Sequence, residues 1–214
     1  MAEIGIFEAI YSMRAMRRLQ PEPIPEETLK QIIDAGVHAP SGGNLQDWAF
    51  ILVRNRKLKR FIRDRYWDMW QKLQAGRPLP ADLPPARQRV LEAAAYLAEH
   101  LHEVPVILLA CARKEYPPFI QAGSERASIA TVHGSIYPAV QNILLTCRAL
   151  GIGSVITTIH CLFEDELKQK LSIPDDMEIS ALLPLGYPQG KFGPTSRRPA
   201  EEVIHWDSWK QKEA

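Results

Sequence analysis

From Ile129 to Leu150 apolar side chains return at steps of three or four residues: Ile129, Val132, Ile136, Val140, Ile143, Cys147 and Leu150. That spacing sets them in one narrow seam along a single helix, read as Ser124 to Leu150, which is roughly seven turns. A seam so long and narrow suits a central helix or a helix–helix interface. Pro138 lies inside it and predicts a kink or a split.

Short apolar runs supply strands to pack against such a helix. Ala49 to Val53, Val104 to Ala112 and Ile179 to Leu185 each read as a buried strand, and Gly151 to Thr158 as a turn and strand. The run from Val104 to Ala112 is too short to span a bilayer as a helix, which takes about 20 residues. Ile4 to Tyr11 starts a short helix, followed by the basic turn Met13 to Leu19. Pro25 opens a second helix, where a missing N–H costs nothing, and Glu26 and Glu27 suit its positive end. Leu29, Ile32, Ile33 and Val37 form its buried face, and Pro40 ends it.

Further helices are read over Lys57 to Leu73, Ala86 to Glu103 and Phe163 to Leu171. Between the first two, Gln74 to Ala86 carries five Gly or Pro residues and reads as a surface excursion, a candidate lid. The last twenty residues hold Trp206 and Trp209 without enough apolar periodicity for a core of their own. The expected architecture is one α+β domain over residues 1–214, whose tail, 196–214, docks on a partner subunit.

Composition excludes several function classes. Twenty-six Lys and Arg against 25 Asp and Glu leave a formal charge of +1, which argues against coating nucleic acid or an acidic membrane. The three cysteines, Cys111, Cys147 and Cys161, have no CxxC spacing, so a disulfide framework or a Cys-based zinc site is not expected. A reducing cytoplasm is the matching compartment, and the first ten residues lack the features of a signal peptide. No GxGxxG opens a helix after a strand, and neither GxxxxGK[ST], HExxH nor GxSxG occurs. A Rossmann or P-loop enzyme, a metal site and a Ser–His–Asp hydrolase are therefore not expected. The basic run Arg54 to Arg65 has Asp64 as its one acid and reads as a solvated helix face.

Two arginine clusters differ from that run. Arg14, Arg17 and Arg18 sit among apolar Met13, Met16 and Leu19, while Arg197 and Arg198 precede Pro199. Arginine forks bind phosphate oxygens two at a time, so the two clusters would make a phosphate pocket if they converged. Ser12 to Leu19 and the loop PSGGNLQDW (Pro40 to Trp48) resemble the nitroreductase family of FMN-dependent oxidoreductases. The likeness continues through PAVQNILLTCRALGIGSVITT (Pro138 to Thr158) and ALLPLGYPQGKFGPTSRRP (Ala181 to Pro199). These four blocks keep the family's order and reach from residue 12 to residue 199.

The resemblance implies a nitroreductase-like α+β fold: a central mixed sheet flanked by helices, one of them long and central, in an intertwined homodimer with two flavins. It implies that Arg14 and Arg17 hold the FMN phosphate, with Ala15 beside them, and that Arg197 closes on it. Pro40, Ser41, Gly42, Gly43 and Asn44 belong to a loop that reaches the neighbour's flavin. Ile156, Thr157 and Thr158 face the ring near N5, and Gln141 contacts the ribityl chain or ring. The implied activity is hydride transfer from NAD(P)H through flavin N5 to a nitroaromatic, a quinone or a related small acceptor, with ping-pong kinetics. The cofactor carries that chemistry, so no catalytic triad or metal is called for. A donor near N5, from Thr157, Thr158 or adjacent N–H groups, would stabilise the charge of the reduced ring.

Departures from the family pattern qualify the roles. Met13 and Ala15 stand where many members carry Arg and Ser, which shifts the phosphate onto Arg17 and Arg197. Gly151 to Thr158 is closer to the deiodinase-like branch, although the lid region lacks a clear Glu, Tyr and Lys set for an amino-acid zwitterion. Reductive dehalogenation on the same fold, or flavin binding without turnover, are the alternatives.

Overall fold

The structure is a computed structural model that describes residues 4–76, 82–114 and 125–209. Its centre is β2 (Val106–Arg113), buried along all but its last residue. Ile107, Leu109 and Cys111 enter one core, and Val106, Leu108, Ala110 and Ala112 the other. An apolar run without polar alternation forms a strand here because helices cover both faces of the sheet. β2 pairs with β1 (Trp48–Val53) on one side and β4 (Met177–Gly186) on the other. β3 (Gly153–Ser154) completes the order β1-β2-β4-β3.

The ladders between these strands are all antiparallel, where a mixed sheet was expected. Parallel pairing among the described residues is confined to an isolated bridge, Ala15–Ser154. A register shift near Ala110 leaves Ser180 without a partner on β2, so that Ile179 and Leu182 reach the same core despite a spacing of three.

One face of the sheet is covered by α3 (Arg56–Ala75), α4 (Pro85–His100) and α6 (Glu164–Leu171). They contribute Ile62, Tyr66, Leu97, Ala98 and Leu167 to the first core. Asn55 starts α3 by accepting from the Lys57 and Leu58 N–H groups at 2.9 and 3.2 Å. The other face carries α2 (Glu26–Val37) and α5 (Glu125–Ala149). The α5 seam lies on the second core through Val132, Ile136, Val140, Ile143 and Cys147, so α5 is a central helix. At its start Ile129 is 50% exposed, so the seam runs past this chain's own core.

Pro138 does not split α5, which continues through it to Ala149. A proline withholds the N–H due to the carbonyl four residues back, here that of Gly134, and Gly134 is exposed to water. The first helix, α1 (Ile6–Ser12), buries only Ala9 and Ser12. Arg148, at the end of α5, holds it by donating to the Ser12 hydroxyl at 2.8 Å and pairing with Glu8 at 3.2 Å. Part of the candidate lid, residues 77–81, lies outside the described residues.

Candidate functional site

After α1 the basic segment Met13 to Leu19 is extended along the edge of the sheet, where a turn was expected. The Met16 N–H donates to the Ser154 carbonyl at 2.9 Å beside the Ala15–Ser154 bridge. Further along, the Gln20 N–H donates to Tyr187 at 2.7 Å. Met16 and Leu19 turn into the core while Arg14, Ala15 and Arg18 stay exposed and Arg17 is half-buried. Arg18 lies over the Tyr96 ring at 3.9 Å and leaves the cluster.

Beside this segment the β3–β4 pairing is interrupted in a way that one proline explains. Gly153 pairs with Gly186, Ser154 with Leu185 and Thr157 with Leu182, all in one register. Thr157 and Leu182 exchange N–H···O bonds of 3.0 and 3.1 Å. The next such exchange back along the ladder falls between Val155 and Pro184, and Pro184 has no N–H to give. The expected strand over Gly151 to Thr158 therefore shrinks to Gly153–Ser154 plus the single bridge at Thr157. The same alternation aims the N–H groups of Ile156 and Thr158 away from β4, and both residues are exposed.

Arg17, Ile156 and Thr157 meet at a cavity of about 150 Å³ lined also by Tyr66, Trp70 and Leu97. Thr157 Oγ1 lies 2.8 Å from the Tyr66 hydroxyl. Burial pushes the Arg17 guanidinium below its ordinary pKa, with Tyr66 pulling the other way. Among the described residues Arg17 has no carboxylate partner, nor have Arg14 and Arg197. An anion lodged here would offset the desolvation of Arg17, so the donor set fits a phosphate-bearing ligand.

The other expected site residues are placed apart from this cavity. Thr195 donates from its N–H and hydroxyl to the Tyr11 carbonyl at 2.9 and 3.2 Å, which brings the tail to the end of α1. Arg197, two residues on, is exposed and donates to the carbonyl of Ser196. Gln141 is exposed on α5 and lines none of the cavities described here. The loop from Pro40 to Asn44 sits on the α5 side of the sheet, where the Gly42 N–H donates to the Ser135 hydroxyl at 3.1 Å. Positive φ at Gly43 (57°) and Asn44 (53°) gives it a tight fold. Within one chain, the loop and the Arg17 cavity are on opposite faces of the sheet.

A larger cavity, about 730 Å³, takes in Arg54, Arg56, Lys59 and Arg60 of the basic run, with His102 across from them. Two of its cations are already engaged within the chain. Lys59, 6% exposed, donates to the carbonyls of Val104 and Pro105, and Arg54 pairs with Glu26 at 3.5 Å. Farther along, Arg63 pairs with Asp64 at 3.1 Å and Arg65 with Glu166 at 2.6 Å. The run is thus part cavity wall and part solvated face, and no residue of the four motif blocks lines that cavity.

Two features of the Arg17 cavity escaped the sequence reading. Tyr66 falls in the helical period of Ile62, where a tyrosine instead of phenylalanine signals a hydroxyl in need of a partner. Pro184 inside an apolar run was the available sign of a broken ladder.

The antiparallel α+β architecture, with an arginine-bearing segment along the sheet edge beside a threonine-lined cavity, defines the class of protein. The nitroreductase family model matches residues 10–187, and the chain belongs to that family. It is similar to NADH dehydrogenase of Thermus thermophilus, 30% identical over 201 residues that span 92% of this chain and 94% of that one. Iodotyrosine deiodinase 1 of Rattus norvegicus is 26% identical over 92% of this chain and 67% of its own length. Among solved structures, oxidised iodotyrosine deiodinase bound to FMN and 3-iodo-L-tyrosine superposes with a TM-score of 0.76 at 22% identity, covering 96% of this chain and all of that one. A nitroreductase with bound FMN from Desulfitobacterium hafniense gives 0.67 at 20% identity, covering 95% and 98%. No helix among the described residues is long and apolar enough to cross a membrane.

Proposed function

We propose that the chain is an FMN-dependent oxidoreductase that works as a homodimer, moving a hydride from NAD(P)H to a nitroaromatic, a quinone or a related small acceptor. The observation that carries this reading is Arg17, half-buried beside Thr157 with no carboxylate partner among the described residues. FMN offers a dianionic phosphate for such a cation and a flat ring for the Ile156–Thr158 segment, and supplies the hydride chemistry at N5 when bound.

Arg17, Arg14 and Arg197 are the residues to hold the phosphate. The outward N–H groups of Ile156 and Thr158, with the Thr157 hydroxyl, are the donors available to the ring. A cavity of about 150 Å³ is small beside the roughly 300–1,000 Å³ of typical ligand sites, so one chain supplies only part of this one. The Pro40 to Asn44 loop, on the opposite face in its own chain, is the natural contribution of a second subunit.

The test is a spectrum of purified protein before and after adding FMN, then NADH or NADPH without oxygen. Flavin absorbance close to one per chain, bleached by either nicotinamide, supports the reading. Colourless protein that takes up no added FMN overturns it.

The likeness to iodotyrosine deiodinase, a TM-score of 0.76, favours reductive dehalogenation as the second reading. Under that reading an iodinated phenol reoxidises the dithionite-reduced protein faster than a nitroarene does.

A further inference from the structure

Tyr66 projects from α3 into the first core, 4% exposed, with its hydroxyl 2.8 Å from Thr157 Oγ1. Either atom is able to donate in principle, and the surroundings decide which does. Arg17 and Trp70, the other side chains at this cavity with polar atoms, carry a guanidinium and an indole N–H and only donate. Among the described residues Thr157 Oγ1 is the acceptor within reach of the phenol. Burial pushes the Tyr66 phenol above its ordinary pKa, against the pull of Thr157 and Arg17, so it keeps its proton through the neutral range. The phenol proton therefore goes to Thr157.

The Ile159 N–H approaches the same oxygen at 3.5 Å. A threonine oxygen has two lone pairs and one proton. With the lone pairs facing Tyr66 and Ile159, the proton is what Thr157 has left to offer a ligand.

We propose that Tyr66 is a positioning residue that locks the Thr157 hydroxyl as a donor toward the acceptor atom of the bound cofactor. The inference rests on the FMN reading, in which that atom is flavin N5. Oxidised N5 accepts a hydrogen bond, whereas reduced N5 carries a hydrogen and needs an acceptor. A locked donor favours the oxidised ring, which for Thr157 reverses the expectation that a donor near N5 stabilises the reduced one.

The test measures the two-electron reduction potential of FMN bound to the full-length protein. In Tyr66→Phe the Thr157 oxygen regains a lone pair, so the equilibrium moves toward reduced flavin by about tenfold, ~30 mV upward for a two-electron couple. By linkage the ratio of the dissociation constants for oxidised and reduced FMN changes by the same factor, while the phosphate contacts are untouched. In a Thr157→Val background the same Tyr66→Phe change no longer moves the potential, while in Thr157→Ser, which keeps the hydroxyl, it does. A Tyr66→Phe protein that holds FMN at the parent's potential overturns the inference alone. So does an equal shift with and without the Thr157 hydroxyl. Parent protein that takes up no FMN overturns both this and the functional reading.

Discussion

Leu19 Cδ2 lies 2.7 Å from the point where a Cβ on Gly153 would stand, and Met16 Cβ lies 3.0 Å from it. That approach lets the arginine-bearing segment close on β3 and puts Arg17 at the cavity. A methyl group there has to push the segment outward. Gly153→Ala should cost about 1–3 kcal/mol by overpacking. The thermal midpoint then falls by roughly 2–4 °C for each kcal/mol in a chain of this size. FMN retention should weaken along with it, although none of the arginines proposed to hold the phosphate has changed. An unaltered midpoint with parental flavin content would show that the contact has room to give.

Removing the arginines themselves should separate binding from stability. A hydrogen bond to a charged group is worth about 1.5–3 kcal/mol, so Arg17→Ala and Arg197→Ala should each raise the FMN dissociation constant roughly 10- to 150-fold. Flavin fluorescence titration of the apoprotein reads this directly. Arg17 is desolvated without a carboxylate partner among the described residues, so its loss should leave the thermal midpoint of the apoprotein unchanged or raised. Two variants that hold FMN like the parent would remove both arginines from the phosphate site.

The elements behind these predictions were unequally visible in the sequence. The α5 seam and the apolar strands were legible because burial on a helix or a covered sheet leaves a periodicity in composition. That Arg17 and Thr157 line one cavity has no local mark in the sequence, since they lie 140 positions apart, and only the resemblance relates them. Ala15–Ser154 was invisible for the same reason, and the MRAMRRL segment was read as a turn when its hydrogen bonds lie on a distant edge. The ladder gap at Val155 depends on which residue faces Pro184, a matter of register. Side-chain placement beyond the motif blocks, Tyr66 above all, follows from packing that no spacing encodes.

His160 should make the fold sensitive to mild acid. It is fully buried, with Nε2 donating to the Ile179 carbonyl, and burial depresses its pKa despite that bond. The unfolded chain has an ordinary imidazole near 6.5 and takes up a proton below that pH, which the folded chain refuses. Stability from this group is therefore complete above about pH 7 and is lost as pH falls through 6.5 toward the depressed folded value. His102, also lowered chiefly by burial, adds in the same direction with a smaller weight because it is partly exposed. In His160→Gln, which keeps a donor for Ile179, the urea midpoint should depend less on pH between 7 and 5. The slope should drop by up to ~1.4 kcal/mol per pH unit. An identical slope in parent and variant would mean that His160 charges in the folded state.

Exposed apolar residues at both ends of the chain predict its assembly. Ile6, Phe7 and Tyr11 on α1 are 60 to 67% exposed, and in the tail Trp206 and Trp209 are 55 and 83% exposed. Tryptophan in water forgoes the large stabilisation of burying a side chain of its size, and clustered apolar residues on a surface mark a contact site. Ile129 continues the α5 seam beyond the chain's own core, and the Arg17 cavity is too small for a flavin by itself. A second copy would meet all of these needs, with its tail over the apolar surface and its Pro40 to Asn44 loop at the cavity. Light scattering should therefore give twice the 24.2 kDa chain mass. Ending the chain at Glu202 should shift it to the single-chain mass and lower FMN retention, though Arg14, Arg17 and Arg197 all remain. A parent at the single-chain mass, or a shortened chain that keeps its flavin, would place the missing part of the site within one subunit.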